Sequence, residues 1–182
     1  MNRNRSPLLI TAGILVALGA TLTYISGYYV DWLWFKSVDF TSVWSKVLIT
    51  KVELFVLVGV VTSFVISLNI YLAFKRRPLY VPTSIEVSGL ERLRAQIEPI
   101  RRWVFIAVVV VLNYFAGTSG MVFWREWLLF RNSTNFGAKD PQFGLDISFF
   151  VFKLPMLQAI IGWGISTLVL ATLATAFVHY MY

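Results

Sequence analysis

The chain has 182 residues, of which 58% are hydrophobic and 14% charged, with 16 basic and 9 acidic side chains, and its mean hydropathy is +0.71. A soluble domain is about a quarter charged and a disordered chain needs low hydrophobicity with dense charge, so both classes are excluded. With no cysteine and one histidine, disulfides, thiolate metal sites, iron–sulfur clusters, thiol nucleophiles and any site needing two imidazoles are excluded as well.

A bilayer core about 30 Å thick needs roughly 20 uncharged residues per helix. The stretches 6–30, 54–74, 103–124 and 154–182 meet that requirement. They predict an all-α polytopic membrane protein: a single membrane domain over 1–182 with spans at 8–29, 50–74, 103–123 and 155–180. Arg3 and Arg5 followed by the apolar run 8–20 have the pattern of a secretory signal. The run nevertheless continues past Ala17-Leu18-Gly19 to Tyr28, Tyr29 and Val30, a full span with an aromatic end that a cleaved signal does not need. Gly19, Thr23 and Gly27 recur every four residues within it, a face suited to close helix packing in lipid.

The first connection is short and aromatic, holding Trp32, Trp34, Phe35, Phe40 and Trp44 after the two tyrosines. Trp and Tyr settle at headgroup depth because the ring is apolar and its N–H or O–H needs a polar partner, so an aromatic belt is preferred over a pigment or quinone site. Span two opens beside Lys51 and Glu53. Because the uncharged run after Glu53 already crosses the core, it reads as a boundary residue rather than a proton or ion site. Asn69 and Asn113, inside spans two and three, are candidates for hydrogen bonds between helices.

Between these spans, Pro78 and Pro82 end the second helix, and Ser88-Gly89-Leu90-Glu91 has capping-box spacing. Leu90, Leu93, Ile97 and Ile100 then recur at helical intervals, which predicts an amphipathic surface helix within the 78–102 connection. Pro99 interrupts it before Arg101, Arg102 and Trp103. Lys75, Arg76 and Arg77 at one end and Arg101 and Arg102 at the other abut helix ends. By the positive-inside rule this side and the N-terminus are cytoplasmic, in a bacterial inner membrane or an internal membrane derived from it. The net charge of +7 is then accounted for by topology and by contact with anionic lipid headgroups, and no nucleic-acid partner is expected.

The outer connection 124–153 begins with Trp124, Trp127, Leu128, Leu129 and Phe130 accompanied by Arg125, Glu126 and Arg131, consistent with a helix at the interface. Gly137, Asp140-Pro141 and Gly144 follow as turn formers, and Asp146 or Ser148 is a candidate cap for a short helix. Asp140 and Asp146 also make a sparse candidate for a hard cation, with turn and cap roles preferred. Asn132-Ser133-Thr134 matches a glycosylation acceptor, a match that is common by chance.

The motif Phe-Gly-x-x-Asp-Pro-x-Phe-Gly-x-Asp-x-Ser-Phe-Phe-x-Phe-x-Leu-Pro over 136–155, with Asp31-Trp32-Leu33-Trp34-Phe35 and Leu128-Leu129-Phe130-Arg131-Asn132 before it, resembles uncharacterised protein family 0182, a group of large bacterial integral membrane proteins. The resemblance implies a multi-span membrane region followed by a large extracytoplasmic part, with no catalytic residues to carry over. It also implies that the chain is the N-terminal part of a longer protein, since family members continue where this sequence stops.

Gly164, Thr167, Ala171 and Thr175 give span four a second small-residue face. His179, near its end, is the one candidate for ligating a haem or chlorophyll, and no cofactor is assigned. No nucleophile–base pair or metal set can be assembled, so the chain reads as a non-enzyme. The expected function is a structural or accessory membrane subunit that packs against lipids and other membrane protein subunits. The alternative is the membrane portion of a transporter or lipid-handling protein with further spans and an extracytoplasmic domain.

Overall fold

The computed structural model describes residues 7–76, 96 and 98–181. Arg77 and nearly all of the expected amphipathic connection, including Leu90, Leu93 and Ile97, lie outside them. Five α-helices are found among the described residues and carry the fold: α1 (Pro7–Ser37), α2 (Thr41–Lys75), α3 (Arg101–Met121), α4 (Trp124–Arg131) and α5 (Leu154–Met181). A 3₁₀ turn at Glu98–Ile100 leads into α3, and a π-helical turn at Phe149–Lys153 leads into α5. Among the described residues α1, α2, α3 with its leading turn, and α5 with its leading turn are long and apolar enough to cross a membrane. All four expected spans are therefore present as helices, and no strand is found among the described residues.

The first aromatic connection is shorter than the sequence suggested. α1 runs on to Ser37 and α2 starts at Thr41, leaving only 38–40 between them. The reason is local: positions 30–49 contain neither glycine nor proline, and a helix satisfies its own backbone groups at a depth where water is scarce. Phe40 N donates to Phe35 O at 2.9 Å and Asp39 N to Lys36 O at 3.3 Å, the paired bonds of a Schellman ending with Asp39 as its left-handed residue. Asp39 has φ 59°, a conformation that Asp tolerates better than most residues.

Two compact units make up the chain, Met1–Ile49 and Thr50–Tyr182. The first contains α1 and the beginning of α2. Its helix surface is largely apolar and exposed, and on it Tyr24 and Tyr28 share a hydrogen bond of 3.0 Å between their hydroxyls.

In the second unit α2 is the central element. Leu54, Val58, Gly59, Thr62, Ser63 and Ile66 are buried along one side at the three- and four-residue intervals of a single helix face. This core uses glycines and hydroxyls more than large side chains. Without water there is no hydrophobic drive between helices, and close backbone approach replaces it.

Candidate functional site

Two features of the second unit hold its polar chemistry: the connection between α4 and α5, and the seam where α3 and α5 meet α2. In the connection, both aspartates of the 136–148 segment serve the loop's own backbone. Asp146 accepts hydrogen bonds from Phe136 N at 3.1 Å, Gly137 N at 2.9 Å and Ser148 N at 2.8 Å. The Ser148 hydroxyl, then the Ser148, Phe136 and Gly137 amides, hold its carboxyl at about 2, well below the usual value. Asp140 accepts from Gln142 N at 3.0 Å and Phe143 N at 2.7 Å.

Backbone bonds tie these turns together. Asp140 N donates to Leu145 O at 2.8 Å, Gly144 N to Asp140 O at 2.9 Å and Ile147 N to Ala138 O at 2.9 Å. Gly137 and Gly144 sit at φ 75° and 66°, where a side chain is strained. The turn and cap roles expected for Asp140 and Asp146 are therefore their observed roles. Among the described residues no cluster of three or more metal-ligating side chains occurs. The loop is lashed to the start of α5 by rings, with Phe136 edge-on to Phe152 at 5.4 Å and Phe143 6.1 Å from Phe150.

At the seam, α3 approaches α2 through glycines. A Cβ at Gly117 would lie 2.8 Å from Phe55 O, one at Gly120 would lie 2.6 Å from Val58 Cβ, and one at Gly59 would lie 2.8 Å from Asn113 O. Asn113 thus takes part in helix packing. Asn69 donates within its own helix, to Val65 O at 2.8 Å. Among the described residues, a bond that crosses between helices is one the sequence did not suggest: Trp163 Nε1 of α5 donates to Thr62 Oγ1 of α2 at 2.8 Å. The available signals for the seam were the small-residue run Gly117-Thr118-Ser119-Gly120, which faces Leu54, Phe55 and Val58, and Gly59, which faces Asn113.

Of the small-residue faces, Thr167 and Ala171 on α5 are buried, Thr175 is half-buried, and the space beside Gly164 is open. Gly19, Thr23 and Gly27 on α1 are exposed, and no atom lies within 4 Å of a Cβ placed at either glycine.

Several of the residues expected at the membrane interface pair cations with aromatic rings. Lys36 Nζ is 4.9 Å from the centre of the Trp32 ring, Lys51 Nζ 5.6 Å from that of Trp124, and Arg101 Cζ 4.7 Å from that of Phe74. Arg101 also pairs with Glu98 at 2.8 Å. Trp34, Arg76, Arg102 and Trp103 are exposed, and Trp44 is half-buried. Trp127 stacks on Phe130 with ring centres 6.3 Å apart, and its Nε1 is buried with no acceptor among the described residues. Glu53 is exposed and lies 4.0 Å from Arg131 rather than against Lys51. His179 is exposed at the end of α5.

Four apolar helices joined by a self-bonded loop, with a glycine-lined seam, define a multi-pass helical membrane protein. The chain belongs to the uncharacterised protein family UPF0182, whose sequence profile matches residues 8–182. It is 41% identical over 181 residues to a UPF0182 protein of a Nocardioides species, 36% identical over 181 residues to one of Streptomyces coelicolor, and 43% identical over 177 residues to one of Salinispora tropica. These matches cover 95% or more of this chain but only 18% of each relative, so it spans about a fifth of the length of the curated relatives it matches. No solved structure matches it.

Proposed function

We propose that this chain is a structural membrane module on which other membrane segments pack, whether these belong to a longer polypeptide or to partner subunits. The supporting observation is uncovered helix surface. In the most apolar stretch of α1 0% of residues are buried, and in those of α3 and α5 only 11%. On α1 that surface includes Gly19, Thr23 and Gly27, residues that admit close helix approach. The dearth of ionisable groups at membrane depth argues against chemistry within the module. The module sits in the bacterial cytoplasmic membrane with the N-terminus inside, as the basic residues at helix ends favour.

A photoreactive benzophenone residue at position 23, in the full-length gene product in native membranes, tests this. The expected result is protein crosslinks from position 23 and lipid adducts from position 25, which lies on the opposite side of α1 at about 100° per residue. Lipid adducts alone from position 23, together with a solitary monomer in mild detergent, would refute the proposal.

A further inference from the structure

A cleft of about 590 Å³ opens between α2, α3, α4 and α5, lined by Leu54 and Val58, Gly120 and Phe123, Trp127, Met156 and Trp163 among others. Its size is typical of small-ligand sites. At about 30 Å³ for a group the size of a water, close to that of a methylene, it has room for about 20 such groups, which is one long acyl chain. The walls are overwhelmingly apolar. Trp127 adds an indole N–H that is buried and lacks an acceptor among the described residues.

Charge distinguishes the two ends. Lys51 is one helical turn before Leu54, the first lining residue of α2, and Lys153 is one turn before Met156, the first of α5. Arg125 and Arg131 flank Trp127 on α4. Among the described residues neither lysine is in an ion pair. Of the acids near this end, Glu53 lies 4.0 Å from Arg131, Asp140 and Asp146 hold backbone amides, and Glu126, whose Oε2 is buried with no partner among the described residues, stands against Lys51, Arg125 and Lys153, of which Lys51 also lies over the Trp124 ring. An apolar slot with a positive end and a spare N–H donor complements a lipid whose acyl chain leads up to an ester and a phosphate.

We propose that the cleft binds one acyl chain of an anionic phospholipid, with the phosphate at the end marked by Lys51 and Lys153 and the ester region beside Trp127. The bound lipid completes the seam between α2, α4 and α5. This inference does not rest on the packing role proposed above, since it concerns a different surface and a different ligand.

Native mass spectrometry of the full-length protein in mild detergent, titrated with phosphatidylglycerol or phosphatidylcholine, tests it. One phosphatidylglycerol is expected to be retained in preference to phosphatidylcholine. Lys51→Gln with Lys153→Gln is expected to weaken that preference by about fivefold per lysine. Lys51 lies within α2 with its Nζ 5.6 Å from the centre of the Trp124 ring and Lys153 closes the π-helical turn, and neither is among the buried residues of the seam. Ala159→Trp, which fills the cleft, is expected to remove the retained lipid, whereas Arg102→Gln at the far end of α3 is expected to leave it bound. Equal retention of the two lipids, or a preference unchanged in the lysine variant, overturns the proposal. So does a photocrosslink from position 159 that reaches only protein.

Discussion

Gly120→Ala puts the close packing of α2 and α3 to a quantitative test. The added Cβ would sit 2.6 Å from Val58 Cβ, 2.7 Å from Val58 Cγ2 and 3.0 Å from Leu54 O. Carbon atoms are in favourable contact at about 3.5 Å or more, so the helices must part by about 1 Å. A rotamer change cannot relieve this, because Val58 Cβ is fixed to the backbone and Leu54 O belongs to it. Inserting a methyl into a packed seam costs about 1–3 kcal/mol, which is about a fivefold to 150-fold loss in the folding equilibrium. In this chain without the segments proposed to pack on α1, Gly19→Ala and Gly27→Ala meet nothing within 4 Å and gain helix propensity, so they should be neutral or stabilising by up to about 1 kcal/mol. Unfolding in detergent by SDS titration, followed by tryptophan fluorescence, measures all three. The reasoning fails if Gly120→Ala stays within about 0.5 kcal/mol of the parent.

Three further outcomes follow from the loop and the seam. Asp146 has its carboxyl lowered to about 2 from 3.8, so its contribution to loop order is fully present above about pH 4 and is lost as pH falls toward 2; protection of the Phe136, Gly137 and Ser148 amides, taken relative to their intrinsic exchange rates, should fall only in that acid window, and in Asp146→Ala should be lower at every pH. Gly144→Ala, at φ 66°, should destabilise the loop by about 1–2 kcal/mol, seen as faster proteolytic cleavage between 136 and 148, with no change in helix content by circular dichroism. Thr62→Val and Trp163→Phe, singly and together, should reveal a coupling of about 0.6–1.7 kcal/mol across the α2–α5 contact; a coupling of zero would show that the 2.8 Å bond contributes nothing.

The four spans were legible because their signal is additive: each uncharged run sums some 20 residues, and single exceptions do not erase it. The packing was much less so. Thr23 and Thr167 stand in equally good four-residue repeats, yet Thr167 is buried and Thr23 exposed. A small residue permits close approach without naming the helix that makes it. Gly117 and Gly120, three apart, are the contacts α3 uses, and their importance depends on Gly59, Phe55 and Val58, which are nearby only after folding. The loop was half legible. Gly137, Gly144, Asp140 and Asp146 announced turns through their individual preferences, whereas the three amides gathered by Asp146 come from residues up to ten positions away. The length of α1 was misjudged because aromatic and charged residues were read as a connection, although 30–37 and 41–49 hold neither glycine nor proline and the break is confined to 38–40.

The π-helical turn at Phe149–Lys153 acts as a phase shifter. An i→i+5 turn accommodates one more residue than an α-turn spanning the same rise, which offsets every side chain before it by about 100° from the periodicity of α5. Within it Phe150 and Phe152 take the loop's rings; after it Met156, Trp163 and Thr167 keep their own places in the second unit. Removing a single residue here would convert the turn to ordinary α-helix and swing the loop about a quarter-turn around the axis of α5, leaving both halves individually sound and mutually misaligned. The distance in sequence between the loop's last cap and the first buried residue of α5 is therefore a setting of angle as much as of length.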